Sequence, residues 1–162
     1  MSMSPVFEVL PFDQLSLEQL QRIHIVRSQV FTVGQQITEQ EPDELDFTAV
    51  HVFHVADSGV VDAYARVFPA AADGEHAHPW ADAGAWSIGR VAVASSARGQ
   101  GLGAALVASC VEWIREHTDA PQIVISAQLY LADTLYASAG FTPHGEVYLE
   151  AGIDHIAMSR DF

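Results

Sequence analysis

The stretch VAVASSARGQGLGAALV, residues 91–107, constrains this chain more than any other. It places an apolar strand, a loop with glycines at 99, 101 and 103, and the start of an apolar helix in one run. Glycines at this density let a backbone approach a partner closely, and the amides that open a helix have no acceptors inside it. The amides of Arg98, Gly99, Gln100, Gly101, Leu102, Gly103 and Ala104 then form a ring of donors. They sit at the positive end of a helix dipole, roughly half an elementary charge, beside the Arg98 guanidinium. The segment reads as an anion-binding loop, and a strand, loop and helix in this order belong to a sheet with helices on its faces.

The kind of anion is narrowed by what the loop lacks. A mononucleotide P-loop ends in Gly-Lys-Ser or Gly-Lys-Thr, and all seven basic residues of this chain are arginines. The dinucleotide fingerprint fits better, since Gly99, Gly101 and Ala104 match its spacing. Its acidic ribose partner at the end of the next strand is missing, because that strand ends ISAQL. Acyl coenzyme A is the third class that competes for the loop.

Charge and composition bound the partners. The chain has 162 residues, 49% of them apolar, which suits one domain over residues 1–162. With 21 acidic residues against 7 basic ones the net charge is −14, so nucleic acid is excluded as a partner. No apolar run is long enough for a membrane span, and the start lacks the features of a signal peptide, so a cytoplasmic location is expected. Cys110 is the only cysteine and lies on the apolar run of a helix, where it reads as core filling. His76 and His78 form an H-x-H with no third ligand, so no metal is expected. Glu39, Glu41, Asp43, Glu44 and Asp46 crowd between residues 39 and 46. They read either as a solvated surface or as charge that draws in a cationic substrate, with Glu39, Glu41 and Asp43 as its contacts.

The order of elements follows from periodicity and turn residues. PVFEVLPF (5–12) reads as a strand, and SLEQLQRIHIVRSQVF (16–31) as a helix opened by a Ser16–Gln19 capping box. The acidic segment 33–47, broken by Pro42, reads as a loop with a short helix. AVHVFHVA and VVDAYARVF around Asp57-Ser58-Gly59 read as a hairpin, and an Ala, Gly, Pro and Asp-rich loop follows. Then come strand WSIGRVAVA, the glycine loop, helix LGAALVASCVEWIREH, strand QIVISA, short helix LADTLYASAG, and strands EVYLE and IDHIAMSR about Ala151-Gly152. This is an α/β (α+β) pattern, a mixed central sheet of about seven strands flanked by helices.

ARGQGLGAALV resembles the pyrophosphate-binding motif of the GNAT N-acetyltransferases: Arg or Gln, two residues, Gly, one residue, Gly or Ala. Arg98, Gly101 and Gly103 meet it. TLYASAGF, residues 134–141, is similar to that family's later signature, a tyrosine followed shortly by Gly-Phe. The segments VRSQVFTVGQQITEQEPDELD, DAYARVFP, IGRVAV, SAQLYLADTLYASAGF and EVYLEAGIDHIAMSR extend the resemblance over nearly the whole chain, to the ElaA-like GNAT subfamily. Departures from the subfamily's usual pattern fall at Gly34-Gln35, at Asp154 and in the long loop 70–84, none of them in the glycine loop.

The resemblance implies the GNAT acyl-CoA N-acyltransferase fold and direct acetyl transfer from acetyl-CoA to an amine of a small molecule or peptide. It implies that the strand before the loop splays from its neighbour, which sets the backbone of Arg90, Val91 and Val93 beside the pantetheine arm. It implies Tyr136 as the acid that protonates the departing thiolate, with Tyr130 as the rival ring. The base stays open between His155, which falls in the subfamily's GIDHIAM stretch, and a water relayed by a carboxylate or the backbone. His51 and His54 lie three apart in a strand and cannot act as a pair, though one of them can look into a cleft. A GNAT-fold module that binds acyl-CoA without turnover is the alternative function, and a homodimer is left open.

Overall fold

The computed structural model describes residues 3–74 and 77–162. Its elements are β1 (Glu8–Pro11), α1 (Leu17–Arg27), β2 (Val50–Val55), β3 (Val61–Pro69), β4 (Trp86–Val93), α2 (Leu102–His117), β5 (Gln122–Gln128), α3 (Leu129–Leu131), β6 (Thr142–Glu150) and β7 (Ile153–Asp161). Among the described residues the strands form one seven-stranded open sheet in the order β1-β2-β3-β4-β5-β7-β6. Every neighbouring pair is antiparallel except β4 and β5, which α2 joins as a parallel crossover.

The two faces of the sheet follow from the alternation of side chains along its strands. Val52, Ala63, Ala65 and Val67 point to one face and pack under the apolar stripe of α2, formed by Leu102, Leu106, Val107, Cys110, Val111 and Ile114. Phe53, Tyr64 and Ala92 point to the other, where they meet Ile23 and Val26 of α1. Cys110 is fully buried in the first layer, and burial pushes its thiol up, so it packs as an inert apolar residue.

Local sequence signals hold at most boundaries. Ser16 Oγ accepts from the Gln19 amide (3.0 Å), and the Gln19 side chain accepts from the Ser16 amide (2.9 Å), which closes the capping box of α1. Several boundaries differ from the sequence expectation, β1 among them, which starts at Glu8 rather than at residue 5. The α-helical part of α1 ends at Arg27 and continues as a wider π-helical turn, Ser28–Gly34, closed by Gln35 N–H to Val30 O (3.0 Å). The short helix begins at Leu129 and is π-helical over Ala132–Tyr136. Strand β6 begins at Thr142, before the expected EVYLE, and is bulged between His144 and Tyr148.

Candidate active site

The site begins where β4 leaves its neighbour. β4 pairs with β5 only at Trp86↔Ile123 and Ser87↔Val124. Against β3 it carries one extra residue between the pairs Arg66↔Gly89 and Tyr64↔Ala92. That residue is Arg90, held in the left-handed region at φ 51°. A bulge bends its strand, and here the bend leaves the β5-facing edge of Ile88 to Val93 without a strand partner among the described residues. A non-glycine residue in this conformation costs of order 1–3 kcal/mol, so the surrounding fold over-determines it.

At the end of that free edge lies the glycine loop. Gly99 and Gly101 both take φ 77°, and a Cβ built on either meets nothing within 4 Å. They are therefore glycines for their backbone conformation, and the space over them is open. Ala105 N–H is the first to bond back, to Gly101 O (3.1 Å), which leaves the amides of Leu102, Gly103 and Ala104 without acceptors inside α2. Arg98 is exposed, and among the described residues its guanidinium spends only Nε, on Val93 O (3.2 Å). Gly103 is different, because its φ is ordinary and an added Cβ would only touch Val93 (3.6 Å) and Leu135 (3.7 Å).

Beside the splay is a cavity of about 440 Å³. Tyr136 lines it, 6% exposed, with its ring edge-on to Phe141 at 6.0 Å. Its hydroxyl has no hydrogen-bond partner among the described residues, and burial pushes its pKa up, so the proton stays on the oxygen at neutral pH. Tyr130 is 66% exposed and does not line the cavity; its hydroxyl accepts from Gln35 Nε2 (3.5 Å). Gln35 and Gln128 exchange amide hydrogen bonds (2.8 and 3.0 Å) and tie the end of β5 to the turn after α1.

The β5–β7–β6 face supplies the opposite wall. The turn Ala151-Gly152 has φ 51° and 76°, positive at both positions as a two-residue hairpin demands, and it sets Tyr148 opposite His155. His155 is 5% exposed. Its Nδ1 donates to Ile153 O (2.7 Å), and its Nε2 lies 3.3 Å from Glu150 Oε2. Ser126 Oγ donates to Glu150 (3.3 and 3.4 Å), so it must accept from the Tyr148 hydroxyl in the short bond they share. Burial and the nearby Glu150 push the Tyr148 pKa up, although the Ser126 bond opposes this.

The acidic segment departs from its sequence reading. Arg27, 1% exposed, donates from both Nη1 (2.8 Å) and Nη2 (3.1 Å) to Asp46 and from Nε to Glu41 (2.6 Å). Arg66 holds Asp43 (2.6 and 3.1 Å) and Asp46 (2.8 Å). Arg90 reaches Glu41 O (3.0 Å) and Asp43 Oδ2 (3.4 Å). Three carboxylates expected to meet substrate or solvent are thus engaged by three guanidinia, and Asp43 does not line the cavity. Glu39 and Glu41 do line it, and Glu39 has no charged partner among the described residues. The arginines give this segment a fixed seat as a cavity wall, a role no local pattern signals.

His51 and His54 do not face the cavity. His51 Nε2 donates to Asp46 O (2.9 Å) and its Nδ1 accepts from Tyr64 OH (2.7 Å), while burial lowers its pKa and keeps it neutral. His54 pairs with Asp62 (2.6 Å). His78 lines the cavity and packs edge-on to Trp80 at 5.8 Å, whereas His76 lies outside the described residues.

Residues 76–162 match the acetyltransferase (GNAT) domain family. The chain is 33% identical to protein ElaA of Escherichia coli K12 over 154 residues, 94% of each chain. The chain belongs to the GNAT acetyltransferase family. The crystal structure of Escherichia coli ElaA superposes on it with a TM-score of 0.82, covering 97% of this chain and 99% of that one. The structure of an acyl-CoA N-acyltransferase from Pseudomonas aeruginosa is 34% identical, with a TM-score of 0.79 and the same coverage. This GNAT protein is thus an ElaA-like N-acetyltransferase, and its family works on a coenzyme A thioester and an acceptor. Within its cleft, Ser126, Tyr148 and Glu150 escaped the sequence reading. Only Tyr148 was within reach of it, because a two-residue turn at Ala151-Gly152 already sets Tyr148 across from His155.

Proposed function

We propose that this protein moves an acetyl group directly from acetyl-CoA to a primary amine of a small molecule or peptide. The observation that carries the reading is the juxtaposition of three features: an unpaired β4 edge, an open ring of helix-opening amides at its end, and a buried tyrosine hydroxyl in the adjoining cavity. The residues present fit a coenzyme A thioester. The loop from Arg98 through Gly99, Gln100, Gly101, Leu102 and Gly103 to Ala104 receives the pyrophosphate on backbone donors and the Arg98 guanidinium, against the repulsion of a chain with net charge −14. The backbone of Arg90, Val91 and Val93 offers hydrogen bonds to an extended amide arm, as an added strand would find them.

Tyr136 keeps its proton in the resting protein and hands it to the leaving thiolate. His155 removes a proton from the acceptor, since a cationic ammonium has no lone pair to attack with. Glu39 and Glu41 form the acceptor's wall, with Glu39 the side chain that still has charge to offer.

Thiol release from acetyl-CoA with a panel of amines tests the reading. Wild type releases thiol in an amine-dependent way, and Tyr136→Phe lowers kcat by about 10²-fold with little change in the KM for acetyl-CoA. If Tyr130→Phe carries that loss and Tyr136→Phe none, the acid is the other ring.

A further inference from the structure

The cleft contains a polar cluster of which the roles above use only His155. Glu150, the last residue of β6, accepts from Ser126 Oγ (3.3 and 3.4 Å) and faces His155 Nε2 (3.3 Å). Ser126 accepts in turn from Tyr148, whose ring stacks on His155 at 6.1 Å. All four line the same cavity as Tyr136.

Hydrogen counting gives this cluster a direction. A carbonyl only accepts, so the bond from His155 to Ile153 O fixes the ring hydrogen on Nδ1. Neutral His155 then presents its Nε2 lone pair to a carboxylate oxygen, an arrangement with room for one more hydrogen. With His155 neutral, the Glu150–His155 pair carries one negative charge and lacks one proton. Glu150 is also half exposed at the strand end, so an entering group can reach it.

We infer that Glu150 binds the ammonium of the acceptor and that the Glu150–His155 pair takes its proton. The inference rests on the amine-acceptor reading and names the residue that recognises the amine. An N–H proton of the ammonium moves to Nε2 of His155, leaving a neutral amine beside an imidazolium–carboxylate pair. The amine nitrogen forms a bond to the thioester carbon and the C–S bond breaks. The sulfur takes a proton from Tyr136, which regains one from the nitrogen. His155 returns its proton to solvent. One proton is released per amide formed, and no oxidant, reductant or metal enters the balance. The hydroxyl chain from Tyr148 through Ser126 holds Glu150 in place by donation alone, so it competes with neither proton.

The test measures steady-state thiol release from acetyl-CoA with n-butylamine, 1,4-diaminobutane and a peptide with a free N-terminus, alongside coenzyme A binding by calorimetry. Glu150→Gln should raise the KM for the amine tenfold or more and leave the KM for acetyl-CoA unchanged. His155→Gln should lower kcat tenfold or more with a smaller change in the amine KM. Should His155→Gln fail to fold, Glu150→Gln decides alone, because its side chain is half exposed and close in shape to the original. Wild-type turnover with an unaltered amine KM in Glu150→Gln overturns the inference and leaves the proposed function standing. Coenzyme A binding with no thiol release from any of these amines overturns the proposed function, and the inference with it.

Discussion

The glycine loop and the acidic segment both announce themselves in the sequence by polar or charged composition, yet they handle hydrogen-bonding capacity in opposite ways. At residues 99–104 the helix-opening amides have no internal acceptors, and the space over Gly99 and Gly101 is empty. At residues 41–46 the carboxylates of Glu41, Asp43 and Asp46 are engaged by Arg27, Arg66 and Arg90, two of them almost fully buried. Unspent capacity marks the place where a ligand has something to gain. Spent capacity marks a support, however charged its sequence looks. Arginine suits that support because its fork stays charged when buried and meets a carboxylate with two bonds.

Removing the support should have the largest effect. Arg27→Met leaves Asp46 and Glu41 without their main partner in a buried site, a change worth about 3–5 kcal/mol of stability, measured by chemical denaturation. Coenzyme A affinity of the protein that remains folded should change little, because among the described residues the Arg27 side chain bonds to Glu41, Asp46 and Tyr64 and not to the glycine loop. A large loss of affinity without loss of stability would erase the distinction between support and site.

Acting on the loop reverses the pattern. Gly101→Ala forces a Cβ into the left-handed region, at a cost of about 1–2 kcal/mol, and should weaken coenzyme A binding measurably by calorimetry. Gly103→Ala, at ordinary φ inside the first turn of α2, should leave binding intact and add up to about 1 kcal/mol of stability. Equal loss of binding in both variants would mean that bare backbone at Gly103 is itself required.

Acid should attack the support before the loop. Burial lowers His51 below its ordinary value of 6.5, so the unfolded chain takes up that proton first and stability begins to fall as pH drops below about 6.5. Burial alone would raise Asp46, but Arg27, Arg66 and the Asp43 amide outweigh it and hold the carboxyl below 3.8, so a second loss follows as pH falls below that value. A denaturation series across pH checks both steps, and His51→Gln should remove the first.

Much of the fold was legible because its signals are local. The capping box at Ser16, the turn at Asp57-Ser58-Gly59, and α2 from Leu102 to His117 are each written within a few residues. The splay of β4 entered only through the family resemblance, and Arg90 as the bulged residue was not foreseen. The arginine–carboxylate network joins Arg27 to Asp46 and Arg66 to Asp43 across different elements, and no periodicity encodes such pairs. The Ser126–Glu150 contact needs the register of three strands at once.

The smallest expected effect belongs to Glu39, the acidic-segment side chain in the cavity that has no charged partner among the described residues. Glu39→Gln should lower kcat/KM for 1,4-diaminobutane by about two- to fivefold at low salt, as an exposed charge allows, and less at about 0.1 M or more. n-Butylamine should respond less than the diamine. A loss that is the same for both amines and insensitive to salt would make Glu39 a solvated surface residue.

The contrast between loop and support meets its most direct test in amide hydrogen exchange with and without coenzyme A. Bound coenzyme A should slow exchange at residues 99–104 and along the free edge of β4, while residues 41–46 exchange at unchanged rates. Protection that appears at residues 41–46, or that misses the glycine loop under saturating coenzyme A, would contradict the account.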